Sequence, residues 1–233
     1  MALNDAEIAR YARQLLLPGL GEEGQERLRA ARVRVTGGGP ALGPAVIYLA
    51  EAGVGTLWID DPDPVAPGDG AGWIFVPGDV GQARGPAMAA AARAANGGVQ
   101  ADVFRPGSRP TAVLASGTSL DVTRTLAEEA RLLALPLVAA DVDGPGGAVT
   151  VVPVGAPCYA CASRPGLGAA ATAEGAAVVG ALAALELVLL LAGAAQEPTA
   201  RRVEIFRGTP LTRPTARQPG CACHGAPAVP PAR

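Results

Sequence analysis

The chain has 233 residues and a formal net charge of −2, and all nineteen of its basic residues are arginine. A near-neutral balance without a basic run argues against nucleic acid as a partner, and the absence of lysine excludes Schiff-base chemistry and any phosphate-binding lysine. With 49% hydrophobic residues the chain can bury one sizeable α/β core.

The first segment, Asn4 to Ala31, has amphipathic helical spacing with a break at Pro18-Gly19, and Asn4 or Asp5 can cap its start. Its polar opening is unlike a secretory signal, so a cytoplasmic location with reduced thiols is expected. Val33 to Val35 reads as a short strand running into Gly37-Gly-Gly-Pro-Ala-Leu-Gly43, and Pro44 to Ala52 as a helix stopped by Gly53. Thr56 to Ile59 is a second strand, ending at Asp60-Asp61. Strand, glycine loop, helix, strand and acid in that order open a dinucleotide-type α/β fold.

Asp61 to Asp79 is rich in proline and glycine and is expected to be a long loop. Helices follow at Arg84 to Asn96 and Val122 to Ala134, and strands at Thr111 to Leu114, Leu137 to Ala139, Ala148 to Val152 and Val203 to Phe206. Ala176 to Ala195 is long and apolar enough to cross a bilayer, but Glu186 sits at its middle. A charge there is costly in lipid, so a buried core helix is expected and no membrane. Residues 226 to 233 are expected to form a disordered tail beyond a single domain spanning 4 to 225.

Two features carry chemistry. A glycine-rich turn after a strand lets backbone amides approach a phosphate. Gly37 and Gly39 fill the first two positions of Gly-x-Gly-x-x-Gly, while Leu42 takes the third and Pro40 lacks an amide. Asp61 is placed for a ribose hydroxyl. The second feature is Cys158, Cys161, Cys221, Cys223 and His224, which include every cysteine and the only histidine. Two soft-ligand pairs about sixty residues apart can close one tetrahedral structural zinc site.

The chain resembles the MoeB/ThiF/HesA-type adenylyltransferases, relatives of ubiquitin-activating enzymes. The resemblance rests on Arg10-Tyr-Ala-Arg-Gln14 with Gly24-Gln-Glu26, Leu49-Ala-Glu-Ala-Gly-Val-Gly55, Pro157-Cys-Tyr-Ala-Cys161, Ala184-Leu-Glu186 before Leu191-Ala-Gly193, and Pro219-Gly-Cys221. It implies a Rossmann-like adenylation fold with a central, mostly parallel sheet and a zinc-clipped C-terminal extension. The implied activity is ATP- and Mg-dependent adenylation of the C-terminal carboxylate of a small ubiquitin-like or sulfur-carrier protein. The implied assembly is a dimer, with itself or with a related chain, in which Arg13 reaches toward the neighbour's ATP. Gly37 and Gly39 correspond to phosphate-loop glycines, Asp61 to the ribose-binding acid and Arg84 to the family's phosphate lysine.

Other positions depart from the pattern. The family's phosphate-gripping arginine falls on Gly72 and its asparagine on Asp69, and its Mg-binding aspartate falls on Ser119 within Thr118-Ser119-Leu120. Asp121, two positions on, is the candidate to hold Mg. The family's second C-terminal cysteine falls on His224, whereas a four-thiolate set would use Cys223; the sequence leaves both open. Two functional readings follow: an active adenylyltransferase with altered ATP contacts, or a catalytically degenerate relative serving as scaffold or as the non-catalytic half of a heterodimer. A third use of the cleft, for another small molecule or a peptide, would enlist Trp73 and Phe75.

Overall fold

A computed structural model describes residues 2–69, 74–117, 119–162, 170–194, 199–206, 209–221 and 223. The chain opens with two helices, α1 (Asp5–Leu15) and α2 (Gly21–Ala30). Asn4 is the cap. Its side chain accepts the Glu7 amide at 3.0 Å and Glu7 accepts the Asn4 amide at 2.9 Å, so two otherwise orphaned donors are satisfied.

The remaining elements are β1 (Arg32–Thr36), α3 (Leu42–Glu51), β2 (Thr56–Asp60), α4 (Arg84–Ala95), β3 (Gln100–Val103), β4 (Ala112–Ser116), α5 (Leu120–Leu132), β5 (Leu137–Asp143), β6 (Gly146–Val152), α6 (Tyr159–Ala162), α7 (Ala173–Ala192), β7 (Arg201–Phe206) and β8 (Thr209–Pro214). They form one eight-stranded sheet in the order β3-β2-β1-β4-β5-β6-β7-β8. β3, β2, β1, β4 and β5 run parallel, and β6, β7 and β8 extend the sheet antiparallel. The strand order reverses between β1 and β4, the position where open α/β sheets form a ligand crevice.

Two strands, β3 and β8, have no counterpart in the sequence expectations. Both are edges of the sheet. β3 is the four-residue Gln-Ala-Asp-Val, and β8 carries Pro210 and Pro214, which an edge strand tolerates because its outer side needs no ladder partner. The pattern that marks a buried strand is therefore absent from each.

The apolar helix α7 is the one described helix with the length and hydropathy of a membrane span. It packs against α2, α3, β5 and β6, and Val179, Ala183 and Leu187 are fully buried in the main core. Gly180 makes the crossing possible, because a Cβ there would collide with the Ala41 carbonyl oxygen. Its one central charge, Glu186, pairs with Arg201 of β7, the two side chains being 10% and 16% exposed. A paired carboxylate on a packed helix is the signature of a core element.

Candidate nucleotide cleft and cysteine clip

Two sites stand apart on this frame, sharing no lining residue among the described residues. The first lies at the reversal of strand order. Gly37, at φ +98°, turns the chain out of β1, and its amide donates to the Asp60 carbonyl at 3.2 Å. Gly39 donates to the Ser116 carbonyl at 3.1 Å. A Cβ at Gly39 would collide with Ser116 Oγ and the Gly117 amide, so only glycine lets the loop close on the end of β4.

Asp60 ends β2 and Asp61 follows it, and their side chains go to different places. Asp60 is on the face of Arg34, which donates to its Oδ2 at 2.6 Å, while Asp61 points into the crevice with its side chain 1% exposed. There it meets Arg84, the first residue of α4, with Nε 3.0 Å from Asp61 Oδ2 and Nη2 donating to Oδ1 at 3.2 Å. Nε and Oδ2 are close enough to attract but misaligned for a hydrogen bond, and both are without a hydrogen-bond partner. Ser116 Oγ is a third buried polar atom without one. Burial pushes the Asp61 carboxyl above its ordinary value, with Arg84 opposing. Burial opposes the Arg84 charge, but Asp61 and Asp69 outweigh it and lift its pKa.

Gly38, Gly39, Asp61, Asp69, Phe75 and Arg84 line this cleft of about 240 Å³, with Ile74 and Met88 adding apolar wall. Orphaned carboxylate, guanidinium and hydroxyl atoms beside a glycine loop suit a polar, phosphate-bearing ligand. Of the residues that line it, Asp61 could take hydroxyls and Arg84 phosphate oxygens. Of the expected site residues the structure brings Gly39, Asp61 and Arg84 to the lining; Gly37 forms the turn beneath. Arg13 is exposed on the last turn of α1, away from the lining. Asp121 is in the first turn of α5, 94% exposed and 3.8 Å from Arg124. Trp73, Gly72 and Thr118 lie outside the described residues. What sequence reasoning missed is the ionic role of Asp63 and Asp69: both sit in Pro- and Gly-rich turns, where nothing in the local pattern states which way a carboxylate faces.

The second site gathers the four cysteines. Their sulfurs lie within 4.8 Å of one another. Adjacent pairs are 3.9 Å (Cys158–Cys161), 3.4 Å (Cys158–Cys221), 3.6 Å (Cys161–Cys223) and 3.5 Å (Cys221–Cys223) apart. All four are free thiols. A tetrahedron with Zn–S bonds of ~2.3 Å has edges of about 3.8 Å, close to this set. The thiols thus match one zinc ion without His224, which lies outside the described residues.

α6 supplies the first knuckle, with the Cys161 amide donating to the Cys158 carbonyl at 3.0 Å. Arg217 ties the knuckles together, donating to Gly155 O at 3.0 Å and Cys223 O at 3.2 Å. The Gln218 amide donates to Cys161 Sγ at 3.3 Å. The Cys223 amide and the neighbouring thiols bring Cys221 down to about 7, whereas burial pushes Cys158 up to about 12. Cys221 thus ionises more readily than Cys158.

The fold and these sites define an α/β protein with a crevice at the reversal of strand order and a cysteine clip joining its late segments. A family model, the ThiF family, matches residues 11–224, and the chain belongs to that family. It is 36% identical over 249 residues to the bovine (Bos taurus) adenylyltransferase and sulfurtransferase MOCS3, covering 96% of this chain and 54% of that protein. The chain therefore spans about half of that relative's length. It is 53% identical over 64 residues to the probable adenylyltransferase/sulfurtransferase MoeZ of Mycobacterium tuberculosis, covering 28% of this chain and 16% of that protein. Among solved structures it is similar to Escherichia coli MccB with ATP, at a TM-score of 0.79 and 16% identity, covering 95% of this chain and 75% of that one. At that identity the likeness speaks for the fold alone.

Proposed function

We propose that the chain is an ATP-dependent adenylyltransferase that activates the C-terminal carboxylate of a small ubiquitin-like or sulfur-carrier protein. The observation that carries the proposal is the buried Asp61–Arg84 pair beside the Gly38-Gly39 turn at the reversal of strand order, in a chain of the ThiF family. The names of the bovine and mycobacterial relatives support the same activity.

In this reading Asp61 orients the ribose and Arg84 neutralises charge on the phosphates, the electrostatic task that dominates such chemistry. A partner carboxylate oxygen bonds to the α-phosphorus. The bond from that phosphorus to the bridging oxygen breaks, and pyrophosphate leaves with the electron pair. Arg13 acts from an exposed helix toward the site of a second copy or a related chain, and Asp121 offers an exposed carboxylate for Mg. Cys158, Cys161, Cys221 and Cys223 would hold zinc as a structural ion, which would leave no cysteine free to react.

ATP–pyrophosphate exchange with purified protein and a ubiquitin-like partner ending in Gly-Gly tests the reading. Exchange above background that falls at least about tenfold in Asp61→Ala is expected. Absent exchange together with absent nucleotide binding refutes it.

A further inference from the structure

The cleft holds two carboxylates, Asp63 and Asp69, to which the proposed reaction gives no role. Arg84 is clamped by three carboxylates: Asp61, Asp63 at 3.2 Å from Nη2 and Asp69 at 3.0 Å from Nη1. The guanidinium side chain is 11% exposed. It lies directly over the glycine turn, because a Cβ on Gly38 would collide with Nη2. The amides of Gly37 and Gly39 already donate to backbone carbonyls. Arg84 is thus the cation that meets an incoming phosphate, and its two terminal nitrogens, Nη1 and Nη2, are engaged.

Asp69 is the built part of the clamp. Its Oδ2 also accepts the Ala66 amide at 2.9 Å, and its own amide donates to Ala66 O at 2.9 Å, closing a tight turn that fixes where the carboxylate points. Asp63 is 70% exposed and Asp69 27%, so water weakens the first contact more than the second.

We propose that Asp69 is a positioning residue: it parks Arg84 over Gly38, and a phosphate-bearing nucleotide enters only as Arg84 exchanges the Asp69 carboxylate for phosphate oxygens. A guanidinium suits this exchange because carboxylate and phosphate accept the same two-pronged donor pattern. Affinity for ATP is lowered by the fraction of molecules in which Arg84 stays latched. The latch rests on the nucleotide reading of the cleft.

A double-mutant cycle separates the latch from simple repulsion of ATP by a nearby anion. ATP with Mg is titrated calorimetrically into the whole chain and into Asp69→Asn, Arg84→Met and the double variant. Asparagine keeps an oxygen for the Ala66 amide. Asp69→Asn is expected to bind ATP about five- to tenfold tighter, and in the Arg84→Met background the same change is expected to shift affinity by less than about twofold. An equal gain in both backgrounds means Asp69 acts on phosphate without Arg84 and overturns the proposal. So does unchanged or weaker binding in Asp69→Asn when the wild-type chain binds ATP. If neither the wild-type chain nor any variant binds ATP, the nucleotide reading falls and the latch with it. Should Asp69→Asn unfold, Asp69→Ser, whose hydroxyl can still accept the Ala66 amide, is read by the same criteria.

Discussion

Removing zinc from the cysteine clip should cost the chain several kcal/mol. Cys158 and Cys221 are 63 residues apart in sequence, and their sulfurs are 3.4 Å apart in the fold. Treated like a covalent cross-link over that loop, the clip restricts the unfolded chain by about 4 kcal/mol at 25 °C. For a chain of this size each kcal/mol moves Tm by about 2–4 °C, so a chelator should lower Tm by about 8–16 °C. Returning one equivalent of zinc should restore it. Elemental analysis should find one zinc per chain, and Cys221→Ser should lose both the metal and the Tm response. A metal-free protein whose Tm ignores both chelator and zinc would refute the assignment, and a loss below about 1 kcal/mol would refute the loop argument.

Four further outcomes follow from other contacts. Arg201→Ala strands Glu186 on α7 and should cost about 3 kcal/mol in urea unfolding, while the double change Glu186→Leu with Arg201→Leu should be close to neutral. Tyr11→Phe removes the hydroxyl that accepts the buried Asn96 Nδ2 at 2.9 Å, and should cost about 1–3 kcal/mol in the same assay. Burial pushes the Glu204 carboxyl up, but Arg202 and Arg213 outweigh it and leave its pKa below the ordinary 4.5. Its stabilising contribution is present above that value and is lost as pH falls through the folded pKa, so Glu204→Gln should flatten the acid limb of a stability–pH profile. If Asp121 holds Mg, Asp121→Ala should depress pyrophosphate exchange most at limiting Mg and recover as Mg is raised.

Most of the frame was legible because it rests on local rules. Val33 to Val35, the Gly37 to Gly43 turn and the helix ending before Gly53 announce one strand–loop–helix unit through periodicity and turn chemistry. The edge strands β3 and β8 escaped because an edge need not show a buried strand's pattern. At the end of β2 the Asp60 side chain pairs with Arg34, and the Asp61 side chain, one residue on, lines the cleft.

The sequence by itself determined the composition of both sites: no lysine to grip a phosphate, an arginine in its place, and every cysteine in two motifs about sixty residues apart. It also set the order of elements, since propensity and capping act within a few residues. Only the tertiary structure decided which partners those side chains keep. It drew four thiols to within 4.8 Å of one another, paired the central charge of α7 with Arg201, and closed Asp63 and Asp69 on Arg84 above Gly38. Such contacts join segments far apart along the chain and depend on where loops return, which no local pattern encodes.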